Sequence, residues 1–158
     1  MSASTSRVFS SVTLASGVVR MIGAMAWPGE TPSVSVTRYD GGRRIGRTAF
    51  YVGPAVDALV EALRRAGESR FSGREVVALL PHGSELELEI SVERSHSRGA
   101  VVTFVRVRRH DRERVGNATV ISGSERSSLG HACRWAREAA AQRQEDDDVE
   151  RFPGTEAP

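Results

Sequence analysis

Two short stretches of this sequence interleave arginine, aromatic and hydroxyl side chains, the three types that a single strand of nucleic acid needs from a protein surface. The first, Ser33-Val-Ser-Val-Thr-Arg-Tyr-Asp40, contains Arg38 and Tyr39 and is followed closely by Arg43, Arg44 and Arg47. The second, Ala100–Arg109, holds Phe104, Arg106 and Arg108 and leads into His110. Guanidinium groups pair with phosphates and stack on flat rings, while aromatic faces accept a base whatever its identity. Alternate residues of a strand share a face. Val34 and Val36 are therefore expected to point into a core, with Ser35, Thr37 and Tyr39 pointing away. By the same parity Val105 and Val107 point inward, and Phe104, Arg106, Arg108 and His110 outward.

An internal repeat supplies the elements that must position these residues. Val34-Ser-Val-Thr-Arg-Tyr-Asp40 matches Val105-Arg-Val-Arg-Arg-His-Asp111 at an offset of 71. At an offset of 70, Arg44-Ile-Gly46 then matches Arg114-Val-Gly116, Leu59 matches Leu129, and Ala62 matches Ala132. Each repeat reads as four strands and a helix. The first gives strands at Val8–Leu14, Val18–Trp27, Ser33–Tyr39 and Ile45–Val52, then a helix from Pro54 with Val56, Leu59, Val60 and Leu63 on one face, ending near Gly67. The second gives Glu75–Leu80, Glu85–Glu93, Ala100–Arg109 and Val115–Ile121, then a helix over Ser124–Gln142. The expected fold class is α+β: tandem ββββα repeats at 1–67 and 74–144, with two antiparallel sheets and two helices.

Charge is distributed unevenly over this organisation. The 158 residues hold 22 basic and 20 acidic side chains, a formal net charge of +2, and every base is Arg. Glu145, Asp146, Asp147, Asp148, Glu150 and Glu156 lie in the last 14 residues with Arg151 as the one base, which leaves residues 1–144 at +7. Residues 145–158 have the composition of a disordered acidic tail. Such a tail solubilises, folds back on the basic face of its own chain, or presents Phe152 to a protein partner. No apolar run reaches the length of a membrane span, the first residues lack the pattern of a secretory signal, and the single Cys133 forms no internal disulfide. A cytoplasmic protein is the expectation, with association with the nucleoid open to it.

Trp27, Gly29, Pro32, the alternating Val34 and Val36, Arg38-Tyr39-Asp40, Gly46-Arg47 and a helix beginning near Pro54 form a recognisable series. It resembles the bacterial members of the positive-cofactor-four family of single-stranded DNA-binding proteins, over Trp27–Ala66 and more weakly over Val101–Ala136. The resemblance implies a four-stranded sheet with one helix, the unit also found in the Whirly and PUR single-strand binders. Two repeats in one chain would then make a pseudo-dimer, and a further homodimer is an expectation of the same kind. It also implies that Arg38, Arg44 and Arg47 occupy basic positions of the binding strands and that Trp27 and Tyr39 match the family's aromatics. Two departures stand out. The turn is Asp40-Gly-Gly-Arg-Arg44 where the family's is Lys-rich, and the second repeat places Arg98, His110 and Asn117 where the first has Trp27, Tyr39 and Arg47.

Catalytic and metal chemistry find little support. His82, His96, His110 and His131 are dispersed, Cys133 lies on the apolar side of its helix, and Gly41-Gly42 with Gly46 reads as a hairpin rather than a phosphate loop. Trp135, between Arg134 and Arg137, reads as a packing residue, and His96 as part of a loop between strands. No cofactor is expected. Glu85, Glu87, Glu89 and Glu93 alternate on the outward face of their strand, and beside Arg106 and Arg108 they would make a salt-bridge ladder in place of a binding face. The leading expectation is a non-enzymatic single-stranded DNA- or RNA-binding protein, an accessory factor of transcription or replication. The phosphate contacts would come from Arg38, Arg43, Arg44 and Arg47, the stacking from Trp27 and Tyr39, with the second repeat as a further face or only a structural partner. The alternative is a protein-interaction or homodimerisation module with no nucleic-acid ligand.

Overall fold

The computed structural model describes residues 5–68, 73–95 and 99–151. Strands β1 (Thr5–Thr13), β2 (Val19–Ala26), β3 (Ser33–Asp40) and β4 (Arg43–Tyr51) form one antiparallel sheet in sequence order and lead into helix α1 (Pro54–Ala66). Strands β5 (Arg74–His82), β6 (Leu86–Ser95), β7 (Gly99–Arg108) and β8 (Arg114–Ile121) form a second such sheet and lead into α2 (Ser124–Arg151). The α+β architecture, two four-stranded antiparallel sheets each followed by a helix, is the expected one. No helix among the described residues is long and apolar enough to cross a membrane.

Local chemistry accounts for these elements. Gly41 and Gly42 both have positive φ, 58° and 81°, which a two-residue hairpin turn requires at its centre. Pro54 opens α1, Asp57 lies in its first turn and Arg64 and Arg65 in its last, all favourable to the helix dipole. Val56, Leu59 and Ala62 of α1 are fully buried.

The chain divides into two compact units that do not follow the repeat boundaries. One contains residues 1–52 and 131–158, thus β1–β4 with most of α2. The other contains residues 53–130, thus α1, β5–β8 and the first residues of α2. Helix α1 packs on β6, with β5 and β7 to either side, so the helix that ends the first repeat covers the sheet of the second. In the first unit Ile22, Ala24, Val34, Val36 and Phe50 of the sheet are buried, as are Ala132, Cys133 and Ala136 of α2.

Strand pairing confirms a duplication and corrects its register. Bulges fall between Val8 and Ser10 in β1 and between Val76 and Ala78 in β5. Ala24 pairs with Val34 and Ile22 with Val36, just as Val92 pairs with Val102 and Ile90 with Phe104. The first three strands therefore correspond at an offset of 68, not 71. The sequence match placed Val34 against Val105, whereas its structural equivalent is Val102. The difference lies in the third turn, Gly41-Gly42 in the first repeat but five residues, Arg109–Glu113, in the second. Beyond that longer turn, Phe50 opposite Val34 and Ile121 opposite Val102 correspond at 71, not at the 70 expected there. Three is an odd number, so the error inverts the assignment of faces in β7.

A second correction concerns the acidic end. Helix α2 continues to Arg151, past Gln144, where the tail was expected to begin. Gln142 donates to Asp146 at 3.2 Å and Gln144 to Asp148 at 3.1 Å, i,i+4 bonds that favour the helix. Phe152 and Glu156, like His96, lie outside the described residues.

Candidate nucleic-acid interface

The register of the first sheet sets out the face turned away from its buried side as rows that run across the strands. Thr13, Val19, Tyr39 and Arg44 form the first row, at the hairpin end. Ser11, Met21, Thr37 and Arg47 form the second. Val8, Gly23, Ser35 and Ala49 form the third, and Ser6, Met25, Ser33 and Tyr51 the fourth. Ser33, Ser35 and Thr37 are at most 7% exposed, whereas Arg44, Arg47 and Tyr51 are exposed. The face is thus a trough with a floor of hydroxyls, about 240 Å³ in volume and lined in part by Met21, Met25, Tyr39, Arg44 and Arg47. That is below the roughly 300–1,000 Å³ of an enclosed small-molecule pocket.

None of the sixteen positions in these rows carries a carboxylate, and two carry arginine. The ionised side chains of these rows are therefore both cationic, and hydroxyls supply the remaining polar groups. The Arg47 side chain crosses the third row and places its Nη2 3.9 Å from Met25 Sδ. A thioether is a weak acceptor, so this contact costs little to break.

The expected site residues separate. Tyr39, Arg44 and Arg47 come together on the trough. Arg38 does not: it pairs with Arg20 and Gly46 on the opposite face, and its guanidinium lies over Gly46, where a Cβ would stand 2.8 Å from Nη2. Strand parity decides this, since Arg38 follows Val34 and Val36 two by two. Arg43 is exposed at the hairpin end opposite Asp40. Trp27 lies just past the end of β2, 47% exposed, and its carbonyl accepts a 2.6 Å bond from Arg143 Nη2. Met21, Gly23, Met25 and Tyr51 were not anticipated, although alternation along Val19-Arg-Met-Ile-Gly-Ala-Met25 already places the first three on one face.

In the second sheet the three-residue shift overturns the expected face. Phe104 pairs with Ile90 and is 2% exposed, in the core beneath α1. Arg106 and Arg108 pair with Leu88 and Leu86 on the same side, and Arg106 lies against Gly116 as Arg38 lies against Gly46. Arg108 is ion-paired with Asp111 at 2.8 Å and with Glu113. His110 sits in the turn, 3.5 Å from Asp111. A bond from the Glu113 backbone N–H lowers the Asp111 pKa, aided by the Arg108 and His110 charges. The expected ladder of glutamates beside Arg106 and Arg108 is absent, because Glu87, Glu89 and Glu93 pair with Val107, Val105 and Val101. Arg74 bonds Glu89 instead. The counterpart of the trough is therefore lined by valine and glutamate, with a buried Ser91–Thr103 pair between them.

Outside the trough, Cys133 is buried, and desolvation pushes its thiol up to about 12, the form of a packed hydrophobe rather than a nucleophile. Among the described residues no three His, Cys, Asp or Glu side chains are grouped so as to hold a metal ion.

No protein-family model matches this chain, and no curated protein matches it. A solved structure does. The chain is similar in fold to the crystal structure of WHY1 from Arabidopsis thaliana, with a TM-score of 0.43 and 12% identity, over 98% of this chain and 87% of that one. The architecture described above rests on the strand pairing of this chain itself.

Proposed function

We propose that this protein binds single-stranded DNA or RNA, without catalysing a reaction on it, along the trough of its first sheet. The carboxylate-free face carries the reading: Arg44 and Arg47 supply phosphate contacts, Tyr39 stacks a base, and the serine and threonine floor bonds to polar edges. Trp27 and Arg43 extend the surface at its two ends, and Arg38, on the other side of the sheet, is not part of it. The second sheet serves the fold, since a row of glutamates repels a polyanion. The trough belongs to a protein that accompanies transcription or replication, where single strands are exposed.

A salt series with labelled oligo-dT and a duplex of equal length tests this. Preferential binding of the single strand is expected, with log K falling linearly against log salt. Arg47→Ala should lower that slope by about 0.7, the value of one phosphate contact on a single strand. Tyr39→Ala should weaken binding by about tenfold or more, in line with the loss of a stacked base. Equal affinity for the duplex, or a slope unchanged by loss of Arg47, would overturn the assignment.

A further inference from the structure

The third row of the trough differs from those on either side. Gly23 and Ser35 occupy its two central strands, with Val8 and Ala49 outside them, and no side chain of the two central strands is longer than serine. The neighbouring rows carry Met21 and Met25 on the same strand as Gly23. Rows two residues apart lie about 7 Å from each other, so the two methionine backbones are about 14 Å apart. The gap is built in rather than incidental. Gly23 is held close to β1, where a Cβ would stand 3.1 Å from the Arg7 carbonyl oxygen, so any larger residue there pushes the edge strand away.

From this geometry we infer a slot for a single nucleobase, standing edge-on between Met21 and Met25 with its polar edge toward Ser35 Oγ and Arg47 as its roof. The inference rests on the single-strand reading above and names the subsite within it. Unbranched methionines close on a flat ring to the about 5 Å sulfur-to-ring distance that such pairs favour, without demanding a particular base. Serine donates and accepts, so its hydroxyl satisfies either kind of edge. Arg47 already spans the slot to reach Met25 Sδ, and a ring inserted below it presents edge acceptors to the guanidinium N–H donors in place of a weak N–H···S contact. The second sheet has no counterpart, because the positions matching Met21 and Met25 at the offset of 68 are Glu89 and Glu93.

Two oligonucleotides of equal length and phosphate number separate base insertion from charge: oligo-dT, and the same chain with abasic sites at alternate positions. For the native protein the abasic chain should bind about tenfold more weakly with the same salt slope. In a Tyr39→Ala background, which removes the stacking contact assigned above, Ser35→Leu fills the slot and leaves the arginines in place, so it should bind both oligonucleotides alike, again with the slope intact. Met25→Ala, which opens one wall without filling anything, should narrow the native preference in the same direction. Thermal melts of both variants show that the sheet is intact. The slot is overturned if the Tyr39→Ala protein binds the two oligonucleotides equally, or if folded Ser35→Leu in that background keeps the preference of its parent. In both cases oligo-dT still binds with a salt slope and the wider reading survives, whereas no binding of any single strand overturns both.

Discussion

Arg38 and Arg47 show how little residue type says without strand parity. Both are arginines of the same hairpin, yet Arg47 stands across from Thr37 on the trough while Arg38 packs flat over Gly46 on the other side. Arg38→Ala should therefore leave the salt slope for oligo-dT unchanged, in contrast to Arg47→Ala. Gly46→Ala needs only the far end of the Arg38 side chain to move, so it should cost less than about 1 kcal/mol and leave affinity within twofold. A fall in slope on removing Arg38, measured in the same titration, would return that residue to the binding face. The Arg-over-Gly contact recurs as Arg106 over Gly116, although the outward faces of the two sheets have diverged from methionine and arginine to glutamate and valine. It is a packing device common to both repeats, which is why it is no guide to the ligand.

At the scale of elements the sequence was highly legible. All eight strands and α1 lie within a few residues of their expected places, because alternation and the Gly and Pro breaks act over short distances, whereas α2 starts where expected and runs nine residues past Gln142. Helix α1 is a case in which local charges also have a measurable consequence. Glu61 accepts bonds from Arg64 at 2.7 Å and Arg65 at 2.9 Å, and these bonds, that to Arg64 foremost, draw its carboxyl down to about 2. A carboxylate whose folded pKa lies below its unfolded value near 4.5 contributes stability above that unfolded value and loses it as pH falls toward 2. Thermal melts from pH 5 to pH 2 should thus show a steeper fall in Tm for the native chain than for Glu61→Gln. The difference should shrink in high salt, because the cluster is exposed. Parallel pH profiles for the two proteins would contradict this account. What the elements did not reveal was their partners: the helix of the first repeat covers the second sheet, an exchange that no local pattern records.

For the whole molecule, the +2 net charge averages a strongly basic body with an acidic end that continues α2 as helix. Its charge reaches across about a Debye length at low salt, whether or not it touches the trough. Truncation after Gln144 raises the net charge to +7 and should tighten oligo-dT binding several-fold at low ionic strength, with the gain vanishing at high salt. Unchanged affinity at low salt would show that the acidic end does not bear on the trough. The sequence left the second repeat as a further face or only a structural partner, and the strand pairing shows that its outward face differs from the first. The sequence alone determined the strands, the helices, the duplication and the surplus of arginine, since each depends on composition or on periods of two and 3.6 residues. It could not determine which residues share a face across strands, because that parity is set by the partner strand and by turn length. Pairing with β6 puts Phe104 in the core and Arg106 and Arg108 on the same side, the longer turn that follows hides this from a sequence match, and one sheet in place of two carries a carboxylate-free trough.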